Sequence, residues 1–127
     1  MPARLFYEYA VIRVVPRVDR GEQLNAGVVM YCLERDFLKA RVALSTERLR
    51  ALDATADAAV LQQHLEAVPR VCEGGPGAGQ LGELSMKERW HWLVAPRSAM
   101  VQLGPVHAGL CLDPDAELER LMRVMVY

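Results

Sequence analysis

Apolar side chains dominate the first third of the chain in three runs that are separated by short polar links. Residues 6–16 are rich in aromatic and β-branched types, residues 25–33 are almost wholly apolar, and residues 37–44 alternate apolar positions with Lys39 and Arg41. Such runs are typical of β-strands. Because the links are short, the pattern predicts a three-stranded antiparallel meander.

The spacing of apolar residues becomes helical after Leu44. Ser45 is placed to cap a short helix that runs to about Leu52. A second helix is predicted over residues 56–68, where five side chains share one face, and Pro69 is expected to end it. Those five side chains are Val60, Leu61, His64, Leu65 and Val68.

The last third of the chain contains two further helix starts around an extended segment. Ser85 and Glu88 have the spacing of a capping box, which predicts that a helix begins there. Residues 99–112 are expected to be extended, with a turn or bulge at residues 104–105. Asp113 then caps a C-terminal helix, which has proline at its first position. The apolar stripe of that helix consists of Leu118, Leu121, Met122 and Met125.

This order of elements predicts an α+β fold, in which an antiparallel sheet begins with the meander and helices pack mainly on one face. A length of 127 residues is typical of one domain, so residues 1–127 are interpreted as a single unit. The glycine-rich residues 74–82 are expected to form a flexible loop. The segment that follows this loop is too short to fold as a second domain.

Charge and composition exclude several functional classes. Fifteen basic and sixteen acidic residues are interspersed, so no basic run is available to bind nucleic acid. No apolar stretch approaches the roughly 20 residues of a membrane span, and the N-terminus lacks the features of a signal peptide. The three cysteines are far apart and lie in apolar surroundings, which predicts reduced thiols and a cytoplasmic protein.

The motifs of phosphate, metal and thiol chemistry are weak in this chain. The glycine loop lacks the Lys-Ser/Thr of a phosphate-binding loop. His107 and Cys111 would lie about 13 Å apart on a strand, which is too far for one metal ion. Cys32 and Cys111 are interpreted as buried structural thiols, and His64 as a histidine at the edge of the core. The sequence therefore predicts neither a metal nor a cofactor.

Five polar residues without a local structural explanation are the candidates for ligand binding: Arg13, Asn25, Arg97, Gln102 and His107. Arg13 lies within an otherwise apolar strand, where a charge must be paired or must serve a site. If the extended segment near the C-terminus joins the sheet, these side chains converge. Alternatively, Arg13 pairs with Glu8 or Glu34, or emerges at an edge of the sheet.

Trp90 and Trp92 flank His91 in the helix that the capping box predicts. Neighbours two apart on a helix point to different sides, so both rings cannot enter the core in the same way. One of them is available for an interface, where tryptophan is enriched. The alternative is that one ring is in the core while the other covers the surface.

Two segments carry a recognisable pattern, YEYAVIRVVPRVDRGEQLNAGVVMYC at 7–32 and HWLVAPRSAMVQLGPVHAGLCLDPDAELERLM at 91–122. In both blocks and their order, the chain resembles an uncharacterised bacterial family, domain of unknown function family 3037. The resemblance implies a small cytoplasmic protein without an assigned activity, and it brings no catalytic residues to this chain. Members of that family are often encoded beside proteins that resemble HipA-type kinases.

Two hypotheses of function follow. The first is a small cytoplasmic interaction or regulatory module that binds another protein, for which the resemblance suggests a HipA-type kinase, or that binds a second copy of itself. The alternative is a small-ligand or anion-binding enzyme. In that hypothesis Arg13 and Arg97 hold an anionic group by charge-assisted hydrogen bonds, and His107 acts as an acid or base.

Overall fold

The computed structural model describes residues 3–127. Within them, five strands form one sheet: β1 (Leu5–Val14), β2 (Leu24–Cys32), β3 (Phe37–Val42), β4 (Val101–Leu103) and β5 (His107–Cys111). The α-helices are α1 (Thr46–Leu52), α2 (Ala58–Glu73), α3 (Met86–Val94) and α4 (Pro114–Met125), and short 3-10 turns occupy Leu33–Arg35 and Pro76–Glu83. The predicted α+β fold class is confirmed.

The sheet is built around β1. Strands β1, β2 and β3 form the predicted antiparallel meander, whereas β4 and β5 both pair antiparallel with the other edge of β1. β4 lies along Ile12–Val14, and β5 lies along Leu5–Tyr9. Between these two strands the backbone N–H of Gly104 still donates to the carbonyl of Val11 at 2.8 Å. The segment that was predicted to be extended is thus one edge of the sheet, interrupted where the sequence predicted a turn or bulge.

The two faces of the sheet bury separate apolar clusters. On one face the helices α1, α2 and α3 pack on the sheet through side chains that include Leu49, Leu65 and Trp90. On the other face α4 packs alone, through Leu118, Leu121 and Met122. The expectation that helices pack mainly on one face is confirmed, because α4 is the exception among the α-helices of residues 3–127.

Three of the predicted helix starts have the predicted capping side chain in place. Ser45 accepts from the backbone N–H of Arg48, and Ser85 and Glu88 form the complete capping box. Asp113 accepts from the first turn of α4, which has proline at its first position. These contacts satisfy backbone donors that a helix leaves unpaired at its N-terminus, and they fix where α1, α3 and α4 begin.

Helix α2 continues beyond the proline that was expected to end it, so that prediction was wrong. Pro69 lies inside α2, and Val71 and Cys72 are buried after it. Arg89 of α3, itself buried, donates to the carbonyls of Val71 and Cys72 at 2.8 and 2.5 Å. A cation that bonds the last carbonyls of a helix stabilises that end. Burial and this contact outweigh the hydrogen bond that proline removes.

The predicted apolar face of α2 also needs correction. Leu61, Leu65 and Val68 are buried as expected, whereas Val60 and His64 are exposed. The buried stripe of α2 begins at Leu61 and not at Val60. Because α2 runs to Glu73, the stripe ends with Val71 and Cys72. His64 is therefore at the surface and not at the edge of the core.

The glycine-rich segment after α2 contains more local structure than a plain loop. Its 3-10 turns at Pro76–Glu83 are joined to α2 through Gly74 and Gly75, which both have positive φ. Ala78 and Leu81 pack against the cluster beneath α2. The flexibility of this segment stays a prediction. None of the helices described within residues 3–127 has the length and apolar character needed to cross a membrane.

Candidate functional site

A cleft of about 520 Å³ lies between α2, the 3-10 turns that follow it, α3 and β4. Its floor and walls are mostly apolar, and its polar side chains stand at the rim. The apolar lining consists of Ala67, Val68, Val71, Ala78, Leu81, Leu93, Ala99, Val101 and Leu103. A concave apolar site with a few polar groups is the usual form of a ligand-binding pocket.

The periodicity of the surrounding elements explains how this cleft forms. His64, Ala67, Val68 and Val71 follow one another at helical spacing, so they line the cleft as one stripe of α2. On β4, Val101 and Leu103 face the cleft, and Gln102 between them points to the opposite face of the sheet. The cleft is thus the part of the helical face that the packing of α2 and α3 leaves open.

Arg97 is held over Trp92 at the rim of the cleft. Its Cζ atom lies 4.2 Å from the centre of the Trp92 ring, which is the geometry of a cation–π contact. One terminal nitrogen donates to the carbonyl of Trp92, and Nε donates to the carbonyl of Ala95 at 3.4 Å. A guanidinium has five N–H donors. The contacts with these two carbonyls therefore leave donors of Arg97 free to bind an anionic group in the cleft.

The electrostatic character of the rim is cationic. Arg70 lies near Glu66 at 3.8 Å on the exposed side of α2, a pair that contributes little because both side chains are about half exposed. The remaining polar side chains of the rim are Gln63 and His64. Among the described residues 3–127, no carboxylate lines the cleft. The site therefore favours a ligand that combines apolar surface with negative charge.

Three of the predicted site residues form a row on the opposite face of the sheet. Arg13 is paired with Asn25 on β2 and with Gln102 on β4. The amide of Asn25 donates to the carbonyl of Met125 at 3.0 Å, and that of Gln102 donates to the carbonyl of Ala99 at 2.6 Å. Both amides thus hold local backbone in place.

Arg13 itself is half-buried, and its guanidinium lies close to Gly104, the residue that follows β4. A methyl group added at Gly104 would lie 2.8 Å from its Cζ atom, so the guanidinium in its present position packs directly against this glycine. Nε is buried without a hydrogen-bond partner, and no acid of residues 3–127 forms an ion pair with this arginine. The interpretation in which Arg13 pairs with Glu8 or Glu34 was therefore wrong.

His107 lies on the same face as Arg13 but further along the sheet. It is exposed, is paired with Tyr9, and has its ring centre 5.4 Å from that of Tyr9. Tyr9 and Arg13 are four residues apart on β1, a distance of about 13 Å along a strand. The structure thus brings Arg13, Asn25 and Gln102 together, places His107 apart from them, and places Arg97 at the cleft on the other face.

The cleft also contains residues that the sequence did not single out as site residues. His64 was assigned to the core edge, and Arg70 received no role. His64 lies three residues before Ala67, and Arg70 lies three residues after it. Residues three apart on a helix are neighbours on its surface, so both side chains border the same part of the cleft as Ala67. Trp92 was recognised as one of two candidates for an interface, and the structure buries Trp90 while it leaves Trp92 at the rim.

Among the described residues 3–127, the lining of this cleft includes His64 but none of the three cysteines. All three cysteines are free and buried. Burial raises the pKa of the Cys72 thiol to about 12 and also raises that of Cys111, so both are protonated at neutral pH. Within residues 3–127, no three histidine, cysteine or acidic side chains are grouped so that they can hold a metal ion.

Comparison with known proteins places the chain in a family. A family model described as "Protein of unknown function (DUF3037)" matches residues 9–126, which include all five strands in whole or in part and all four α-helices. No curated protein and no solved structure shows significant similarity. The match agrees with the resemblance of residues 7–32 and 91–122, and it extends across the segment between them. The chain therefore belongs to the DUF3037 family.

Proposed function

We propose that this protein is a cytoplasmic binding module whose cleft receives a short segment of a partner protein. The segment inserts apolar side chains between α2 and β4 and presents an acidic group to Arg97. One observation carries the proposal: an apolar cleft has a guanidinium fixed over Trp92 at its rim, and no carboxylate of the described residues 3–127 lines it.

The physical chemistry of the rim suits protein recognition. Arginine and tryptophan are enriched among the residues that contribute most to protein interfaces. Because the Trp92 ring and two carbonyls already hold Arg97, its side chain loses little conformational freedom when a partner binds. The apolar lining then contributes about 25 cal/mol for each Å² that the segment removes from water.

Binding is favoured over catalysis by the placement of the polar groups. The arrangement that suits an enzyme requires Arg13, Arg97 and His107 around one ligand, and these residues are divided between the two faces of the sheet. The protonated thiols of Cys72 and Cys111 add no nucleophile. Binding of an anion requires only the cationic side chains that already lie at the rim, Arg70 and Arg97.

A HipA-type kinase is the first partner to test, because the family resemblance brings such kinases into view as products of neighbouring genes. The experiment is co-expression with the neighbouring kinase, followed by co-purification and measurement of the dissociation constant. Arg97→Ala removes the guanidinium and Trp92→Ala removes the ring that supports it. Arg123→Ala changes an exposed arginine of α4, on the opposite side of the sheet, and serves as the matched control.

We expect the wild type and Arg123→Ala to bind alike. Loss of a charge-assisted hydrogen bond costs about 1.5–3 kcal/mol, so Arg97→Ala is expected to weaken binding roughly 10- to 100-fold. Thermal unfolding of each variant checks that the fold is retained. If the kinase binds Arg97→Ala and Trp92→Ala as tightly as the wild type, the cleft is not the contact. If the wild type ignores the kinase at tens of micromolar, the kinase is not the partner.

A second candidate is an anionic small molecule with an apolar body. The volume of the cleft, about 520 Å³, favours it because small-molecule sites commonly have volumes of about 300–1,000 Å³. Native mass spectrometry of the freshly purified protein tests this candidate. A retained mass that disappears in Ala67→Trp, a variant that fills the cleft from α2, would support it, whereas a ligand-free spectrum at all protein concentrations would count against it.

A further inference from the structure

Strand β5 forms part of an outer edge of the sheet. It is hydrogen-bonded to β1, and its other side has no strand partner within residues 3–127. An unpaired edge presents backbone N–H and C=O groups that accept another strand, and proteins commonly protect such edges with charged side chains. β5 has the sequence HAGLC, without Lys, Arg, Asp or Glu, so this edge lacks that protection.

Large apolar side chains are exposed around the same edge. The exposed fractions are 53% for Phe6, 57% for Leu110, 58% for Leu112 and 41% for Val106. Phe6 is paired with Leu110 across β1 and β5, so these two side chains stand side by side on one face. Exposed apolar residues are ordinary when they are scattered, whereas a group at a free edge marks a contact surface.

We infer that β5 pairs antiparallel with β5 of a second copy of this chain, about a two-fold axis at Gly109. In that register Ala108 lies opposite the partner's Leu110, and Val106 lies opposite the partner's Leu112. Both exposed leucines thus gain an apolar neighbour, and so does Val106. The two free edges satisfy each other's backbone groups, and the two five-stranded sheets join into one.

The sequence around Gly109 favours a second copy over an unrelated strand. The exposed residues Val106 and Leu112 stand at equal distances on either side of Gly109, and so do Ala108 and Leu110. A two-fold interface uses the same surface on both subunits, so that surface must be complementary to itself, as this symmetric arrangement is. Gly109 has no side chain, and the Tyr7 ring covers one side of it, so the backbones meet without obstruction at the axis.

This interface is independent of the proposed function. β5 lies along Leu5–Tyr9 of β1, whereas the cleft is next to β4, which lies along Ile12–Val14. The residues that line the cleft include none of β5 and none of the exposed apolar group around it. The dimer prediction can therefore be wrong while the prediction of partner binding is correct, and the reverse can also be found.

Light scattering and sedimentation equilibrium at protein concentrations from about 1 to about 200 µM test the inference, because a dimer with a dissociation constant in this range dissociates measurably across it. We expect wild type to reach twice the 14.2 kDa mass of the chain. Leu110→Lys places a charge in the edge and is expected to remain monomeric. Val124→Lys makes the same kind of change at an exposed apolar residue of α4 and is expected to dimerise like wild type. Far-UV circular dichroism checks that both variants are folded.

Disulfide trapping tests the register. Ala108→Cys and Leu110→Cys are prepared as separate single variants, in which the three native cysteines are buried. Directly opposite residues on paired strands are close enough for a disulfide, whereas diagonal neighbours at about 7–8 Å are too far apart. We therefore expect a covalent dimer on mild oxidation of the mixture and little from either variant alone. A monomeric wild type over the whole range, a dimer that survives Leu110→Lys, or a mixture that fails to cross-link would each overturn the inference.

Discussion

The phenol of Tyr7 donates a hydrogen bond of 2.5 Å to Oε2 of Glu117, which joins two residues that stand 110 positions apart in the chain. Arg120 donates to both oxygens of the same carboxylate, at 2.7 and 2.9 Å. The hydrogen bonds from Arg120 lower the pKa of Glu117, and burial, followed by the contact with Glu117, raises the pKa of Tyr7. A neutral phenol and an ionised carboxylate thus stabilise the junction between β1 and the first turns of α4.

Removal of the Tyr7 hydroxyl is expected to change how stability depends on alkaline pH. Because the pKa of Tyr7 is raised in the folded state, its contribution is fully present below its ordinary pKa of about 10 and is lost as pH rises above that value. The free energy of unfolding of wild type should therefore fall more between pH 8 and about pH 11 than that of Tyr7→Phe. Urea unfolding at both pH values measures this difference, with Tyr127→Phe as an exposed control. Equal losses in wild type and Tyr7→Phe would contradict the role assigned to the phenol.

Arg89 is expected to be the most sensitive charged residue for stability. It is buried, and its guanidinium bonds the carbonyls of Val71, Cys72 and Leu84. Arg89→Met leaves these carbonyls without their donor, so we expect a loss of about 3 kcal/mol in the free energy of unfolding. Arg70→Met, which removes an exposed arginine of α2, is expected to cost less than about 1 kcal/mol. Chemical denaturation compares the two variants, and similar losses would refute the prediction.

A side chain added at Gly109 is expected to destabilise the fold for steric reasons. A methyl group at this position would lie 2.7 Å from the Tyr7 ring, whereas at Gly77 it would meet no atom within 4 Å. Forcing an extra group into a packed contact costs about 1–3 kcal/mol. We therefore expect Gly109→Ala to lose stability in that range and Gly77→Ala to stay within about 0.5 kcal/mol of its parent. Both substitutions are made in the Leu110→Lys variant as background. That variant is expected to be monomeric, so the comparison measures the stability of the monomer and not of the proposed dimer. A neutral Gly109→Ala would show that Tyr7 does not lie over this glycine.

The two tryptophans are expected to differ in their access to solvent. Trp90 is buried and stacks on Tyr31 with ring centres 5.6 Å apart, whereas the Trp92 ring is partly exposed beneath Arg97. Acrylamide should quench the fluorescence of Trp92 strongly and that of Trp90 weakly. Trp92→Phe is therefore expected to remove most of the quenchable emission, and Trp90→Phe is expected to retain it. The same measurement reports on ligands, because an occupant of the cleft should protect Trp92. Similar quenching in both variants would contradict this placement.

Local signals were sufficient to predict the strands of the meander and the starts of three helices. Ser45, Ser85 and Asp113 act as the predicted caps, because a capping side chain and the donors that it satisfies lie within three residues of each other. The three runs of the meander pair as expected, because short links leave antiparallel pairing as the simplest arrangement. The end of α2 could not be predicted in this way. It depends on Arg89, which comes from another helix.

The candidate site was harder to predict because it depends on the faces to which strands and helices turn. All five candidates were expected to converge if the late extended segment joined the sheet, and the pairing of β4 with β1 brings only Arg13, Asn25 and Gln102 into one row. Arg97 follows the end of α3 and is held by Trp92, which places it on the other face. No spacing along the chain distinguishes these two outcomes. The cleft also needs the open space between α2 and β4, which is a property of packing and not of a motif.

The pairing of β1 with the last two strands has a consequence for the order in which the chain folds. Leu5 is paired with Cys111, and Val14 with Val101, so one side of β1 receives its partners only when the final quarter of the chain has been synthesised. Contacts of such long sequence separation form slowly, because a large loop must close before they are made. The early meander would meanwhile expose an apolar strand edge to other nascent chains. Until β4 and β5 arrive, this edge of β1 is therefore expected to be a site at which nascent chains misassociate.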